Sequence, residues 1–165
     1  MLLETKRLNI TNFNISDAKE IFEFSQENSM KQWIPNQVYG DIKEAKETLE
    51  FLISKYDEKQ FPFVYAVRLK DDTLIGHVGL SKINQGIEIG YAVGEKFQNC
   101  GYATEAVLCY SDWGKKQFGI PALYGIVKYK NMASCKVLQK SGFVFSHDDI
   151  NHEFDQETLR KIYIK

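Results

Sequence analysis

The chain has 165 residues, 44% of them hydrophobic and 26% charged, which is typical of a globular protein and fits a single domain over 1–165. Its 21 basic residues nearly balance its 22 acidic ones, and the net charge of -1 argues against a strong nucleic-acid binder. The sequence begins without the features of a signal peptide, and no apolar run approaches the about 20 residues of a membrane helix. We therefore expect a cytoplasmic protein with no membrane partner. The 3 cysteines form no CxxC pair, which argues against a zinc site and indicates reduced thiols.

The first third of the chain is predicted to contain one strand and two helices. Apolar residues alternate over 7–13, which indicates a strand, and a helix follows with Ser16 as its N-cap. Residues 28–40 lack a clear period and are predicted to be irregular. Asp41 and Glu44 form the pattern of a capping box, so a second helix is expected to begin there.

The remaining chain is predicted to contain six strands and two helices. Three strands joined by short turns come first, with a turn over 81–86, and strand-helix-strand units follow. The acidic segment 148–155 is predicted to be an exposed turn. Strands are predicted over 63–69, 74–80, 87–93, 122–128, 143–146 and 161–164. Helices are predicted over 102–117 and from an N-cap at Asn131 to a terminal Gly142. The expected class is therefore α+β, with one mixed, mostly antiparallel and twisted sheet flanked by helices.

The strand predicted over 87–93 has one unusual face. Because side chains alternate along a strand, Glu88, Gly90 and Ala92 share one face. A carboxylate followed by two small residues leaves a groove with an acid at its end. An edge strand with a solvated Glu88 would have the same pattern, so both interpretations remain open at this point.

The segment from Gln98 to Thr104 runs from a strand into a helix N-terminus through Gly101. Free backbone N–H groups and the positive end of a helix dipole meet at such a point, and they favour an anion such as phosphate. Glycine at position 101 lets the backbone approach a ligand, although a plain tight turn fits the same residues. The segment matches neither the P-loop motif nor G-x-G-x-x-G, which argues against nucleoside triphosphates and dinucleotides.

Several motifs, in chain order, resemble those of the GNAT N-acetyltransferase superfamily. Gln98-x-x-Gly101-x-Ala103 is similar to its Q/R-x-x-G-x-G/A signature. Glu88-Ile89-Gly90-Tyr91 and Asn131-x-x-Ser134 resemble motifs of the RimJ/RimL-like branch, which acetylates the N-termini of ribosomal proteins. The resemblance covers nearly the whole chain and implies the acyl-CoA N-acyltransferase fold.

The resemblance implies acetyl-CoA as a co-substrate and no metal. The diphosphate of acetyl-CoA is expected on the segment from Gln98 to Thr104, and its pantetheine arm between the strands 87–93 and 122–128. Cys100 belongs to this segment, and its thiol is a candidate for a mixed disulfide with CoA on oxidation. The residues expected to bind acetyl-CoA are Tyr91, Ala92, Val93, Gln98, Asn99, Cys100, Gly101, Tyr102, Ala103, Thr104, Asn131 and Ser134.

The resemblance also implies roles in catalysis. Glu88 is the expected general base, acting through a water, since an α-amine has a pKa of about 8 and needs only a modest base. Ser134 is expected to donate a hydrogen bond to the departing thiolate, with Tyr129 as the alternative. Trp33 and Tyr39 are expected to line the acceptor site beside Glu88, or else to pack in the core.

Two functions from different classes fit these motifs. The first is an enzyme that moves an acetyl group from acetyl-CoA to a primary amine by direct attack in a ternary complex. The amine belongs to a protein N-terminus or to a small molecule. The second is a non-catalytic acyl-CoA-binding sensor or interaction module, which the presence of Glu88 and Ser134 disfavours. The sequence fits either a monomer or a homodimer.

Overall fold

A single sheet forms the centre of the molecule. The computed structural model describes residues 2–153 and 156–165. The strands are β1 (Leu3–Glu4), β2 (Leu8–Thr11), β3 (Phe63–Leu69), β4 (Leu74–Ile83), β5 (Gly86–Val93), β6 (Leu123–Lys128), β7 (Val144–Glu153) and β8 (Gln156–Ile164). They form one 8-stranded sheet in the order β1-β2-β3-β4-β5-β6-β8-β7.

Neighbouring strands pair antiparallel, except for β5 and β6, which are parallel. The predicted mixed, mostly antiparallel sheet is therefore confirmed. The register of β5 with β6 contains only Ile87 opposite Leu123 and Glu88 opposite Tyr124. The two strands separate after these pairs. We call the gap between residues 89–93 of β5 and 125–128 of β6 the splay.

Helices cover both faces of the sheet. They are α1 (Ala18–Ser25), α2 (Asn28–Trp33), α3 (Ile42–Glu58), α4 (Tyr102–Phe118) and α5 (Met132–Lys140). Helices α1 and α3 pack on one face, which we call the α1–α3 face, and α4 and α5 pack on the other, the α4–α5 face. Among residues 2–153 and 156–165, no helix is both long and apolar enough to span a bilayer.

The larger apolar core lies on the α4–α5 face. The Tyr110 side chain of α4 is fully buried there, and its hydroxyl donates to the Phe63 carbonyl at 2.9 Å. A smaller core lies under α1 and α3, around Ile21 and Leu49. Because the sheet carries small residues on the α1–α3 face, this second core covers only part of it.

Local capping signals correctly predicted where three helices begin or end. The Asp41 carboxylate accepts the Glu44 N–H at 2.8 Å at the start of α3. Helix α4 begins at Tyr102, as predicted. Helix α5 follows Asn131, and Gly142 stands just beyond its end with a φ of 86°. These signals are local, so the sequence alone is sufficient to identify them.

The start of the first helical segment differs from the prediction. Residues Ile15–Asp17 form a 3₁₀ turn before α1. Ser16 lies inside this turn and is therefore not the N-cap of the helical segment. Asn14 takes the N-cap position, because the Asp17 carboxylate accepts the Asn14 N–H at 2.8 Å. Arg68 Nη2 donates to both carboxylate oxygens of Asp17, at 2.7 and 2.6 Å. This buried ion pair fixes the turn to β3.

Two other predictions of irregular structure are wrong in part. Strand β4 continues to Ile83, because Ser81 pairs with Glu88 in the β4–β5 hairpin, so the predicted turn over 81–86 is too long. The stretch 28–40 contains the short helix α2. The prediction also missed β1, whose two residues are too few to show a period.

The acidic segment 148–155 is the largest correction. Its residues up to Glu153 belong to β7, which pairs antiparallel with β8, and residues 154 and 155 lie outside the described residues. Lys161 Nζ lies 3.4 Å from Asp148 Oδ1, and the Asp149 carboxylate forms an ion pair with Arg160. Opposite charges facing each other across two strands stabilise a hairpin, so residues 148–153 of this run form a strand and not the predicted turn.

Candidate active site

The end of β5 exposes backbone groups to the splay. Gly94 donates its N–H to Ile75 of β4 at 2.9 Å. Because backbone groups alternate in direction along a strand, those of Val93 and Tyr91 point away from β4 and toward the splay. The Val93 carbonyl accepts the Gln98 side-chain amide at 3.0 Å. The Val93 N–H and the backbone groups of Tyr91 lie beyond the last described β5–β6 pair, where a ligand in the splay can bind them.

The turn before α4 presents a row of backbone amides. Asn99 and Gly101 have positive φ angles of 59° and 80°. Gly101 is the N-cap of α4 and has no side-chain oxygen, so the amides of Tyr102, Ala103 and Thr104 have no side-chain cap. These N–H groups lie at the positive end of the α4 dipole, where anions bind favourably.

Arg7 holds this turn, although it was not among the predicted site residues. Its Nη1 donates to the Cys100 carbonyl at 2.9 Å, and its Nε donates to Glu105 Oε2 at 2.6 Å. Its guanidinium carbon lies 4.6 Å from the centre of the Tyr102 ring. Burial acts to raise the pKa of Glu105, but hydrogen bonds from Thr5 and Arg7 outweigh it and lower the pKa. A fixed positive charge therefore stands beside the turn.

Glu88 lies where β5 and β6 separate. It is opposite Tyr124 in a central strand, so the alternative of an edge strand is wrong. Burial raises the pKa of Glu88 to about 7, and the charge of Arg160 opposes this shift. A carboxyl group with a pKa near neutrality can accept and release a proton at physiological pH.

A cavity of about 370 Å³ lies between the sheet and the helices of the α1–α3 face. Its floor includes Gly79, Gly90 and Ala92, on the same face as Glu88. A Cβ at Gly90 would meet no atom within 4 Å, so this glycine keeps the cavity open. His77 is also on the floor, and burial lowers its pKa to about 4, which leaves it neutral at pH 7. The apolar lining includes Phe24, Met30, Leu49 and Leu52, and the charged lining residues are Glu27 and Glu44.

Ser134 lies across the sheet from this cavity, in the first turn of α5. Asn131 Oδ1 accepts the Ser134 N–H at 3.1 Å, which confirms the predicted cap. The hydroxyls of Ser134 and Tyr91 are 2.7 Å apart, and the Tyr91 hydroxyl also donates to the Ser134 carbonyl at 3.1 Å. Burial raises the pKa of Tyr91, so its phenol stays protonated. Tyr91 was predicted only as a residue that binds acetyl-CoA, and its pairing with Ser134 was not predicted because it depends on a helix that packs on the strand.

Residues 7–144 match the family described as the acetyltransferase (GNAT) domain. This chain belongs to the GNAT acetyltransferases. It is therefore an acetyl-CoA-dependent acyltransferase. YnaD, an uncharacterized N-acetyltransferase of Bacillus subtilis (strain 168), is 30% identical to this GNAT chain over 145 residues, which are 86% of this chain and 82% of YnaD.

Solved structures of two other proteins share the fold of this GNAT domain. RimL, a ribosomal L7/L12 alpha-N-protein acetyltransferase in complex with coenzyme A, superposes with a TM-score of 0.84 at 16% identity, covering 99% of this chain and 96% of RimL. The ribosomal-protein-S5-alanine acetyltransferase from Vibrio fischeri superposes with a TM-score of 0.83 at 21% identity, and the alignment covers 99% of this chain and 94% of that protein. At these identities the likeness establishes the fold.

The structure does not bring together four other residues that were predicted for the site, namely Trp33, Tyr39, Cys100 and Tyr129. Tyr39 is half-buried and lines the cavity, whereas Trp33 ends α2 and is not among the described residues that line it. Tyr129 follows β6 with 41% of its surface exposed, and its ring lies 4.1 Å from Lys161 Nζ. Cys100 is exposed, with a free thiol. Of the two aromatic residues predicted for the acceptor site, the structure places only Tyr39 on the cavity.

Proposed function

We propose that this chain transfers the acetyl group of acetyl-CoA to a primary amine, which attacks the thioester directly in a ternary complex. The observation that carries the proposal is Glu88, a carboxyl group with a pKa of about 7 where the splay begins. A base with this pKa suits the removal of a proton from an amine whose own pKa is about 8.

The residues around the splay suit acetyl-CoA as the acetyl donor. We assign its diphosphate to the backbone from Gln98 to Thr104, where Gly101 leaves amides without a side-chain cap and Arg7 adds positive charge. The pantetheine arm carries amide groups, and we assign these to the backbone of Tyr91 and Val93 at the splay. Bound there, acetyl-CoA would supply an activated acyl group.

Glu88 and Ser134 would act on the reaction from opposite faces of the sheet. In the proposed reaction the amine nitrogen bonds to the acetyl carbon, the carbon–sulfur bond breaks and CoA leaves as a thiolate. Glu88 takes the amine proton through a water, and the Val93 N–H stabilises the developing oxyanion. Ser134 donates a hydrogen bond to the thiolate. Tyr91 supports it, because their hydroxyls are 2.7 Å apart.

The cavity beside Gly90 is our proposed site for the body of the acceptor. Its described lining includes Glu27 and Glu44 but no Lys or Arg, so it suits a body that is apolar or cationic. RimL, with the same fold, is an alpha-N-protein acetyltransferase, which supports a protein N-terminus as one acceptor, and a small-molecule amine is the other. We propose that the reaction takes place in the cytoplasm.

Turnover distinguishes this enzyme from a non-catalytic acyl-CoA sensor with the same fold. Purified protein is mixed with acetyl-CoA and a panel of primary amines, and the release of free CoA thiol is measured. We expect release with at least one amine, and a loss of about 10²–10⁴-fold in the Glu88→Gln variant. Acetyl-CoA at about 100 times its Kd should stabilise both proteins by about 2.7 kcal/mol.

Each failure of this experiment has a distinct meaning. A thermal shift with acetyl-CoA but no turnover across the amine panel would favour the sensor. No shift with acetyl-CoA or with CoA would contradict the assigned donor site. Equal turnover in wild type and Glu88→Gln would show that another group accepts the proton.

A further inference from the structure

Arg160 carries a buried donor that has no partner. It lies in β8, opposite Lys128 of β6 and Asp149 of β7. Its Nη2 donates to Asp149 Oδ2, but its Nε is buried and makes no hydrogen bond to any residue that the structure describes. Buried donors in folded proteins almost always have a hydrogen-bond partner. The Arg160 Nε–H is therefore an unused donor on a mostly buried guanidinium, available to a ligand oxygen that reaches it.

Arg160 lies on the same face of the sheet as Glu88. Residues directly opposite each other in neighbouring strands share a face, and side chains alternate along each strand. Glu88 is opposite Tyr124, Tyr124 and Lys128 share a face of β6, and Lys128 is opposite Arg160. The charge of Arg160 opposes the effect of burial on the pKa of Glu88, so the two groups interact electrostatically across the splay.

We propose that Arg160 binds the acceptor, by donating a hydrogen bond from Nε to a neutral carbonyl oxygen next to the attacking amine. The inference rests on the proposed acetyl transfer and narrows its acceptor to an α-amino amide. This group occurs at a peptide N-terminus and in small amino amides. Arg160 would position the amine toward Glu88, while the substituent on the α-carbon enters the cavity beside Gly90.

The partners of Arg160 favour a neutral oxygen over a carboxylate. Arginine binds a carboxylate best through two parallel N–H bonds, but Asp149 already accepts from Nη2 and balances the charge. Lys128, the neighbouring cation, donates to the Gln32 carbonyl at 3.1 Å. One free N–H beside an ion pair fits a single carbonyl oxygen, and a second carboxylate would be repelled by Asp149.

Three acceptors with the same aromatic body test this contact, namely phenylalaninamide, phenylalanine and 2-phenylethylamine. Their kcat/KM values are measured with wild type and with Arg160→Met. We expect wild type to prefer the amide over the carbonyl-free amine by about tenfold to a hundredfold, as for one hydrogen bond to a charged group. In Arg160→Met the kcat/KM of the amide should fall to the level of the carbonyl-free amine. The ratio of the two values reports the lost contact, because any change in Glu88 on removal of the Arg160 charge affects both acceptors.

Two further variants separate the contact from the stability of the β7–β8 hairpin. Arg160→Lys keeps a cation for Asp149 but lacks Nε, so it should also lose the preference for the amide. Asp149→Asn removes the ion pair but keeps the donor, so it should retain the preference. Thermal unfolding of each variant reports whether the hairpin is intact.

The outcomes distinguish this inference from the proposed function. If the enzyme turns over, equal losses on all three acceptors in Arg160→Met, or a wild-type preference for phenylalanine over its amide, would overturn the inference.

If no turnover is detected, the contact is tested by calorimetric titration of phenylalaninamide into the CoA-bound enzyme. Tighter binding by wild type than by Arg160→Met supports the contact, and equal or undetectable binding overturns it. The tripeptide amide Phe-Ala-Ala-NH₂ presents the same carbonyl next to its amine as phenylalaninamide does. Arg160→Met should therefore weaken the tripeptide and phenylalaninamide by the same factor, and an effect on neither would overturn the inference.

Discussion

The two faces of strand β5 carry opposite kinds of side chain. On the α4–α5 face, Ile89 is 3% exposed in the larger core, and Tyr91 is hydrogen-bonded to Ser134. On the α1–α3 face, burial raises the pKa of Glu88, and Gly90 leaves open space where a Cβ would stand. The first face is filled with packed side chains, whereas the second keeps a cavity.

This difference separates stability from activity within one strand. A mid-strand glycine adds no packing, and a desolvated carboxylate is unfavourable, so the residues of β5 on the α1–α3 face contribute little to folding. The α4–α5 face compensates by burying apolar side chains. In the proposed reaction the thioester is accessible to groups from both faces, because β5 and β6 separate after Glu88.

The largest effect on stability is expected from Ile89→Ala. This variant removes buried methyl and methylene groups from the larger core, so the free energy of unfolding should fall by about 2–5 kcal/mol. The kcat of the folded fraction should stay close to that of wild type. Urea unfolding and steady-state kinetics measure the two quantities. Glu88→Gln is the matched comparison, and a similar loss of stability in it would show that the two faces are not separable.

A pair of facing glycines sharpens the comparison. Gly90→Val should fill the cavity and raise the acceptor KM by about tenfold or more, as for about 1–3 kcal/mol of steric conflict. Its KM for acetyl-CoA and its Tm should change little. Gly79→Val is the matched variant, because a Cβ there would lie 2.7 Å from the Val64 side chain and 3.0 Å from the Phe63 carbonyl. It should destabilise the fold instead. An unchanged acceptor KM in Gly90→Val would exclude the cavity as the acceptor site.

The centre of the fold was more predictable than its last hairpin. In β3 and β5 apolar residues alternate with other residues along the sequence, and this period indicates a strand. In β7 and β8 the pairs that face each other include Asp148 with Lys161 and Asp149 with Arg160. Such pairs stabilise a hairpin without producing a hydrophobic period, which is why this region was predicted to be a turn.

The same distinction applies to the candidate site. The turn at Gly101 and the cap at Asn131 could be predicted, because each depends on a few consecutive residues. Arg7, the Tyr91 hydroxyl and Arg160 could not, because each acts through a contact with a segment distant in the chain. Sequence spacing carries no information about such contacts before the sheet order is known.

The hydroxyl pair on the α4–α5 face should contribute less to the rate than Glu88. Ser134→Ala should lower kcat by about tenfold, the value of one hydrogen bond to the departing thiolate. Tyr91→Phe keeps Ser134 but removes its partner at 2.7 Å, so its kcat should fall by less. Tyr129→Phe serves as the control. A larger loss of kcat in Tyr129→Phe than in Ser134→Ala would transfer the donor role to Tyr129.

The smallest effect concerns the pH dependence of stability. Because the pKa of Glu88 is raised to about 7 in the fold, the folded state holds a proton that the unfolded chain releases near its ordinary pKa of 4.5. Stability from this group is present below pH 4.5 and is lost as the pH rises toward 7. Glu88→Gln does not lose stability in this way, so at pH 8 its free energy of unfolding should exceed that of wild type by an amount on the order of 1 kcal/mol after allowance for solvent screening.

Urea unfolding from pH 4 to pH 8 measures this difference, with Glu47→Gln on the exposed surface of α3 as the control. A difference that does not change with pH would mean that Glu88 titrates as it does in the unfolded chain, and its suitability as a base at neutral pH would lose its physical basis.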